Sequence, residues 1–414
     1  MENNILVHNI GELVTLSPLA EVKKTTHVRL EDLGCLENSW LAVQNGQVLD
    51  FGIGEPPSDF EKFQKVDAGG KLVLPGLVDC HTHPIFGGNR SDEFSQRLDG
   101  KSYQEIAAAG GGIKSTIQHT RATENHELSR RTRNQLDRFA SYGVTTVECK
   151  SGYGQSATEE LRMLRILKDV KASSPLTLTT TYLALHARPS EFPTNQEFSS
   201  EMITILQKVK EEGLADWVDG FVEKGYFEPE DCEEFFTKAS QLGLGIRIHA
   251  DEFADSGAAS AAAQWGAASA DHLEKASDAG IKAMSSKGVV AVLLPGTSVY
   301  SKIDYADARP FVESGCAVAL ATDYNPGSCQ IDNLPLIATL GALHCNMTTA
   351  QAIAGVTFVA AKALGLENRK GSLAKGYDGD FLIHELESKE QWIADFGRHL
   401  PSQVFVRGQK IRAH

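Results

Sequence analysis

The chain has 414 residues, 42% of them hydrophobic and 23% charged, a balance that excludes a disordered polypeptide. Lys and Arg number 40 against 54 Asp and Glu, a net charge of −14, and so acidic a surface repels phosphate backbones and anionic lipid, so neither nucleic acid nor a membrane is an expected partner. At roughly 150 residues per domain the length suits two or three domains, or one α/β barrel with a small appendage.

The first residues, MENNILVHNIGELVTL, lack a basic stretch leading into an apolar core, so no secretory signal is expected. The longest apolar runs, such as VVAVLLP at 289–295, fall far short of the roughly 20 residues that span a bilayer. Seven scattered cysteines with no CxxC spacing predict reduced thiols and a cytoplasmic location.

Residues 1–72 read as strands, with SWLAVQ (39–44), Asn45-Gly46 and QVLDFG forming a hairpin signature, because Asn-Gly accepts the positive φ of a type I′ turn. From 73 to 373 the pattern changes to apolar runs that end in polar residues, at 77–83, 144–154, 178–187, 217–223, 245–252, 268–274, 289–296 and 318–327. Helical stretches lie between them, for example 157–172 and 197–213. Buried strands alternating with helices predict parallel strands, and eight such units predict a closed (β/α)8, TIM-like barrel. An open doubly wound sheet is the alternative, but no GxGxxG follows the first strand. Residues 374–414 return to short strands, DFLIHEL (380–386) and VFVRGQKI (404–411). Neither terminal segment can bury a sheet alone, so 1–72 and 374–414 are expected to pair as one small β-sandwich domain.

In such a barrel the reacting groups sit at the C-terminal ends of the strands. His81 and His83 close the first strand, and side chains two apart on a strand point the same way. His249 ends the fifth strand and Asp323 the eighth, which neighbours the first in a closed barrel. Three imidazoles and one carboxylate suit Zn²⁺ or Fe²⁺ with a position left for water. Glu252 follows His249 by three residues, placed to take a proton from that water, and His272 ends the sixth strand as a further ligand or a group that polarises the nucleophile. The glycines at 110–112 invite a phosphate-loop reading, but Lys114 does not directly follow a glycine, so the GxxxxGK[ST] spacing fails. A mobile loop over the barrel mouth is expected there instead.

HTH on strand one, His on strands five and six and Asp on strand eight resemble the amidohydrolase superfamily of metal-dependent hydrolases. Binuclear members carry a carboxylated lysine at the end of strand four. Here that place holds Glu223, with Lys224 next to it, and the other strand-end lysine, Lys150, is on strand two. With HxxE at 249–252 this implies one divalent ion, although a one-residue shift of the strand end would put Lys224 in the lysine's place. PGLVDCHTHP (75–84), FGGNRSDEF (86–94), GGGIKST (110–116), KSGYG (150–154), HADEF (249–253), SADHLE (269–274) and ATDYNPGS (321–328) together resemble the imidazolonepropionase family.

That resemblance implies hydrolytic opening of the ring of 4-imidazolone-5-propionate in histidine breakdown, by a homodimer. It implies His81, His83, His249 and Asp323 as metal ligands, and Glu252, His272 and Asp323 as catalytic groups. Arg90 would grip the propionate, Tyr153 the same anion or the ring, and His186 the ring carbonyl. Asn325, Gly327 and Ser328 would line the ligand, with Gly327 letting backbone approach it. A deaminase of a purine or pyrimidine base would share the metal, HxxE and Asp323 without an evident need for Arg90 and Tyr153. A metal-binding scaffold without catalysis would have no reason to keep Glu252 and Asp323 beside the histidines.

Overall fold

Strands of two kinds divide the chain, those buried on one face and those buried on both. In the computed structural model, residues 4–101, 105 and 110–413 are described. The N-terminal strands are β1 (Ile5–Val14), β2 (Cys35–Gln44), β3 (Gln47–Ile53) and β4 (Gln64–Pro75), several of them partly exposed along their length. Then follow β5 (Leu77–Asp79), β6 (Val144–Lys150), β7 (Thr177–Leu185), β8 (Trp217–Val222), β9 (Gly245–Ala250), β10 (Ser269–His272), β11 (Val290–Leu293) and β12 (Val318–Leu320), buried almost throughout. The chain ends with β13 (Phe381–Ile383), β14 (Gln403–Val406) and β15 (Gln409–Ala413).

Strands β5 to β12 form one parallel sheet in sequence order. Helices cover the outside, so each strand is buried on both faces. The sheet closes just beyond the first and last strands, where Asp323 N donates to the His81 carbonyl (3.0 Å) and His83 N to the Tyr324 carbonyl (2.8 Å). Eight parallel strands closed in this way are the expected barrel. The regular ladders stop earlier than the polar run-outs suggested, at 79, 150, 272 and 320, and the residues beyond are free to turn inward. The helix expected over 197–213 is two helices, Asn195–Ile203 and Leu206–Glu211. The break falls in Ile203-Thr204-Ile205, three adjacent β-branched residues, where the Thr204 hydroxyl donates to the Glu201 carbonyl (2.6 Å).

The terminal strands make a second sheet, in the order β15-β14-β13-β4-β1-β2-β3, in which β1 and β4 run parallel. The β2–β3 turn has Asn45 at φ 52° and Gly46 at φ 83°, as its sequence requires. This turn comes round to the far half of the sheet, with Gly379 N donating to the Gly46 carbonyl and Val48 N to the Tyr377 carbonyl, both at 2.8 Å. The expected sandwich is therefore one continuous sheet curled about Ile5, Val7, Leu41, Val43, Phe381 and Phe405. Strand β4 runs to Pro75, past the expected boundary at 72, and turns directly into the barrel at Gly76. A Cβ there would lie 2.2 Å from Thr145 Oγ1, so only glycine lets the two sheets join so closely.

The seven cysteines are unpaired, six of them buried. Among the described residues no helix is long and apolar enough to cross a membrane.

Candidate active site

Alternation places the two histidines of HTH. Thr82 faces its neighbour strand, its hydroxyl donating to the Glu148 carbonyl (2.6 Å) and its backbone N–H to Glu148 Oε2 (3.2 Å). His81 and His83 therefore face the barrel axis, with their Nε2 atoms 3.3 Å apart. Asp323 Oδ1 lies 3.4 Å from each of these nitrogens. Its other oxygen accepts from Thr297 Oγ1 at 2.6 Å, and Asp323 itself is held at φ 52°, a conformation that costs a non-glycine residue energy. His249 brings its ring to 4.5 Å from that of His81.

Two carboxylates fix how these imidazoles present themselves. Asp271 Oδ2 lies 2.6 Å from His81 Nδ1, and Asp219 Oδ1 lies 3.1 Å from His249 Nδ1. Each bond leaves Nε2 as the inward atom. His249 Nε2 is buried with no hydrogen-bond partner. A buried, unpartnered Nε2 beside further imidazole nitrogens and a carboxylate is an arrangement that a cation would satisfy. His81, His83 and His249 form one such group, and His81, His272 and Asp323 a second that shares His81. Imidazole nitrogens together with a carboxylate are a donor set that fits a divalent metal ion.

Burial drives the titration of the neighbouring groups. It holds His272 down at about 4 and His186 at about 3, so both imidazoles are neutral. It raises Glu252 well above the ordinary carboxyl value, helped by the charges of Glu274, Asp323 and Glu223. Burial also lifts Glu274 to about 8. His272 Nδ1 stands between the last two, 3.8 Å from Glu252 Oε2 and 3.9 Å from Glu274 Oε2.

The loops at the mouth bring in the remaining expected residues. His186 stacks on His83 at 5.4 Å, and its Nδ1 is tied to the Gly152 carbonyl at 3.0 Å, which turns Nε2 the other way. Tyr153 is buried, 5.2 Å from His186 and 6.0 Å from His83 between ring centres. Arg90 donates through Nε to Glu93 (2.9 Å) and lies against Gly327, where a Cβ would sit 1.9 Å from its Nη1. The glycine expected to admit a ligand thus makes room for a guanidinium. Asn325 is spent within its own turn: its Oδ1 accepts from Gly327 N and Ser328 N, and its Nδ2 donates to the Asp323 carbonyl and Ser328 Oγ, all at 2.7–2.8 Å. Asn325 and Ser328 shape the loop after β12 through these bonds, rather than standing as open polar groups.

Three further stretches of the chain bear on the site. Glu223 turns its carboxylate to the backbone, accepting from Lys224 N and Phe253 N at 2.9 Å, and Lys224 is exposed, so no lysine stands at the end of strand four facing the histidines. Lys150 is fully buried beneath the site in ion pairs with Glu148 (2.8 Å) and Asp219 (2.7 Å). Gly112, the last of the three glycines where a mobile loop was expected, caps the helix Ile113–Ala122, and its N–H donates to Glu93 Oε1 (3.0 Å). A cavity of about 350 Å³ opens beside the mouth, walled by this helix and the loops after β7 and β8 rather than by the histidines.

Sequence reasoning missed Asp219, Asp271, Glu148, Arg247 and Asp251. A charged residue inside an otherwise apolar strand, as in WVDGFV and GIRIHA, was the available signal. Asp251 Oδ1 accepts from Ser256 N and Ala258 N and its Oδ2 from Ala259 N, which fixes the HADE turn on the next helix.

The model of the amidohydrolase family matches residues 72–411 of the chain. Proteins named imidazolonepropionase are similar throughout: that of Fusobacterium nucleatum subsp. nucleatum is 37% identical over 99% of both chains. That of Bacillus velezensis is 40% identical over 98% of this chain and 96% of its own. Among solved structures, a triazine hydrolase from Arthrobacter aurescens superposes with a TM-score of 0.77 at 15% identity, over 99% of this chain and 95% of that one. A 5-methylcytosine deaminase from Klebsiella pneumoniae does so at 0.73 and 16%, over 99% and 98%. At such identities these two share the fold alone.

Proposed function

The chain belongs to the amidohydrolase family, and from that premise we propose that it opens the ring of 4-imidazolone-5-propionate by hydrolysing a C–N bond, giving N-formimidoyl-L-glutamate. The observation that carries this reading is that the likeness to proteins named for that reaction runs the length of the chain, mouth loops included. One divalent ion per chain, zinc or iron, held by His81, His83, His249 and Asp323, would supply Lewis acidity that lowers the pKa of water toward about 7 and polarises a carbonyl. A homodimer working in the cytoplasm belongs to the same reading.

The residues divide the remaining work. Arg90, anchored on Glu93, offers its free guanidinium edge to the propionate carboxylate, with Tyr153 beside it. His186, neutral and with its Nδ1–H given to the Gly152 carbonyl, presents Nε2 as an acceptor, which suits it to a ring N–H of the substrate. Glu252 takes a proton from the water that attacks the carbonyl carbon. It returns that proton to the ring nitrogen as the C–N bond breaks. His272 orients the water, and Asp323 keeps its place through Thr297.

The test is turnover of freshly made 4-imidazolone-5-propionate by metal-loaded protein, followed by loss of ring absorbance, with Asp323→Ala as the blank for spontaneous decay. Loss well above the blank is expected. No loss with metal bound, together with release of ammonia from cytosine or guanine, would replace the reading with a deaminase.

A further inference from the structure

The metal-facing histidines are joined underneath by a belt of buried charge. Starting at His249, Asp219 bonds its Nδ1 through Oδ1 and takes Lys150 Nζ on Oδ2 (2.7 Å). Lys150 Nζ also donates to Glu148 Oε1 at 2.8 Å. Arg247 Nε lies 4.0 Å from the same oxygen, and Arg247 Nη2 is 3.0 Å from Asp271 Oδ2, the atom that holds His81 Nδ1. Glu148 additionally accepts from Thr181 Oγ1 and, through Oε2, from the N–H of Thr82, the residue between the two strand-one histidines. Every member is fully buried.

Stability does not explain such a belt. A buried ion-pair network costs desolvation that its Coulomb gain barely repays, and apolar residues of like volume often serve as well. What the belt does provide is direction. Each carboxylate that aims an imidazole is held on both sides, by the imidazole and by a cation, so His249 and His81 bond to acceptors whose positions are fixed from another strand.

We infer that Lys150 and Glu148, with Arg247, are positioning residues for the metal centre, locking Asp219, Asp271 and Thr82 so that the three histidines converge on one ion. The inference rests on the metal reading above. It makes a prediction of sign. Removing the Lys150 charge makes the site more negative, which on Coulomb grounds alone tightens a cation, while removing the Glu148 charge loosens it. Positioning predicts that both changes weaken binding.

The experiment strips the full chain with a chelator and measures Zn²⁺ affinity by competition with a chromophoric chelator, for the wild type, Lys150→Met and the isosteric Glu148→Gln. Circular dichroism confirms that each is folded, and the visible spectrum of Co²⁺ reports the ligand field. The expected result is a Kd raised by about 10- to 100-fold in both variants, with an altered Co²⁺ spectrum. Tighter or unchanged binding by Lys150→Met overturns the inference while leaving the metal reading intact. If Lys150→Met does not fold, the Co²⁺ spectrum of Glu148→Gln decides, a changed ligand field supporting the inference and a wild-type spectrum overturning it. A wild-type chain that binds no divalent ion overturns the metal reading, and this inference with it.

Discussion

Single side chains at the mouth carry sharply different expected effects. Glu252→Gln keeps the shape of the group that receives the proton but not its basicity, so kcat should fall by about 10²- to 10⁴-fold with metal content unchanged by elemental analysis. Near wild-type turnover would pass the role to His272. Arg90→Met removes a charge-assisted contact worth about 1.5–3 kcal/mol, so KM for the anionic substrate should rise roughly 10- to 100-fold while a neutral ring analogue is unaffected. Gly327→Ala should imitate it in part, since the new methyl group takes the space of the guanidinium. The histidines, Asp323 and Glu252 were legible in the sequence because they end polar run-outs of strands, where a barrel collects its chemistry. Asp271 and Asp219 were not, because the partners that give them meaning lie 190 and 30 residues away. For Asn325 the sequence shows the residue but not its partners: its bonds lie within its own turn, and NPGS reads equally well as a ligand loop or as a self-satisfied one.

Elements hold these side chains by bonds between a loop and the helix that follows it. Glu160, in the first turn of the helix Ala157–Ser173, accepts from Gly152 N on one oxygen and from Gly154 N and Gln155 N on the other, at 2.7–2.9 Å. It thereby pins the loop that carries Tyr153. Glu160→Leu should leave those buried N–H groups unpaired, at about 1–3 kcal/mol each, and should lower the urea midpoint while raising KM. A variant that loses stability with KM unchanged would separate the loop from substrate binding. The hairpin at Asn45-Gly46 was readable because positive φ at two successive residues needs that pair. The split of the helix at Thr204 was not, since β-branched residues are tolerated in a helix until a local side-chain bond competes with it.

For the molecule as a whole, the seam between sheet and barrel governs acid stability. Lys370 is buried there between Asp378 (2.8 Å) and Asp380 (2.7 Å), and Arg369 also reaches Asp378 at 2.6 Å. Burial pushes the Asp378 carboxyl up, but Lys370 and Arg369 outweigh it and hold it below its usual 3.8. A lowered carboxylate contributes stability above the unfolded value, and that contribution is lost as pH falls through the folded one. Asp378→Asn should therefore melt lower than wild type at neutral pH, with the gap closing as pH falls below about 4; a constant gap in Tm would refute the linkage. Chelation should also lower Tm, because an ion held at 1,000 times its Kd stabilises the folded state by about 4 kcal/mol. Strand β4 pairs with β13, Pro75 opposite Phe381 and Leu74 opposite Leu382, and then enters the barrel without a linker. On the ribosome this strand emerges before the whole barrel has been made, and its far-side partner, β13, follows only after the barrel strands. The growing chain must carry an unpaired strand edge through most of its own synthesis, so truncation from the C-terminal end leaves that edge open to other copies, and a slow or stalled translation run is when the molecule is most exposed to misassembly.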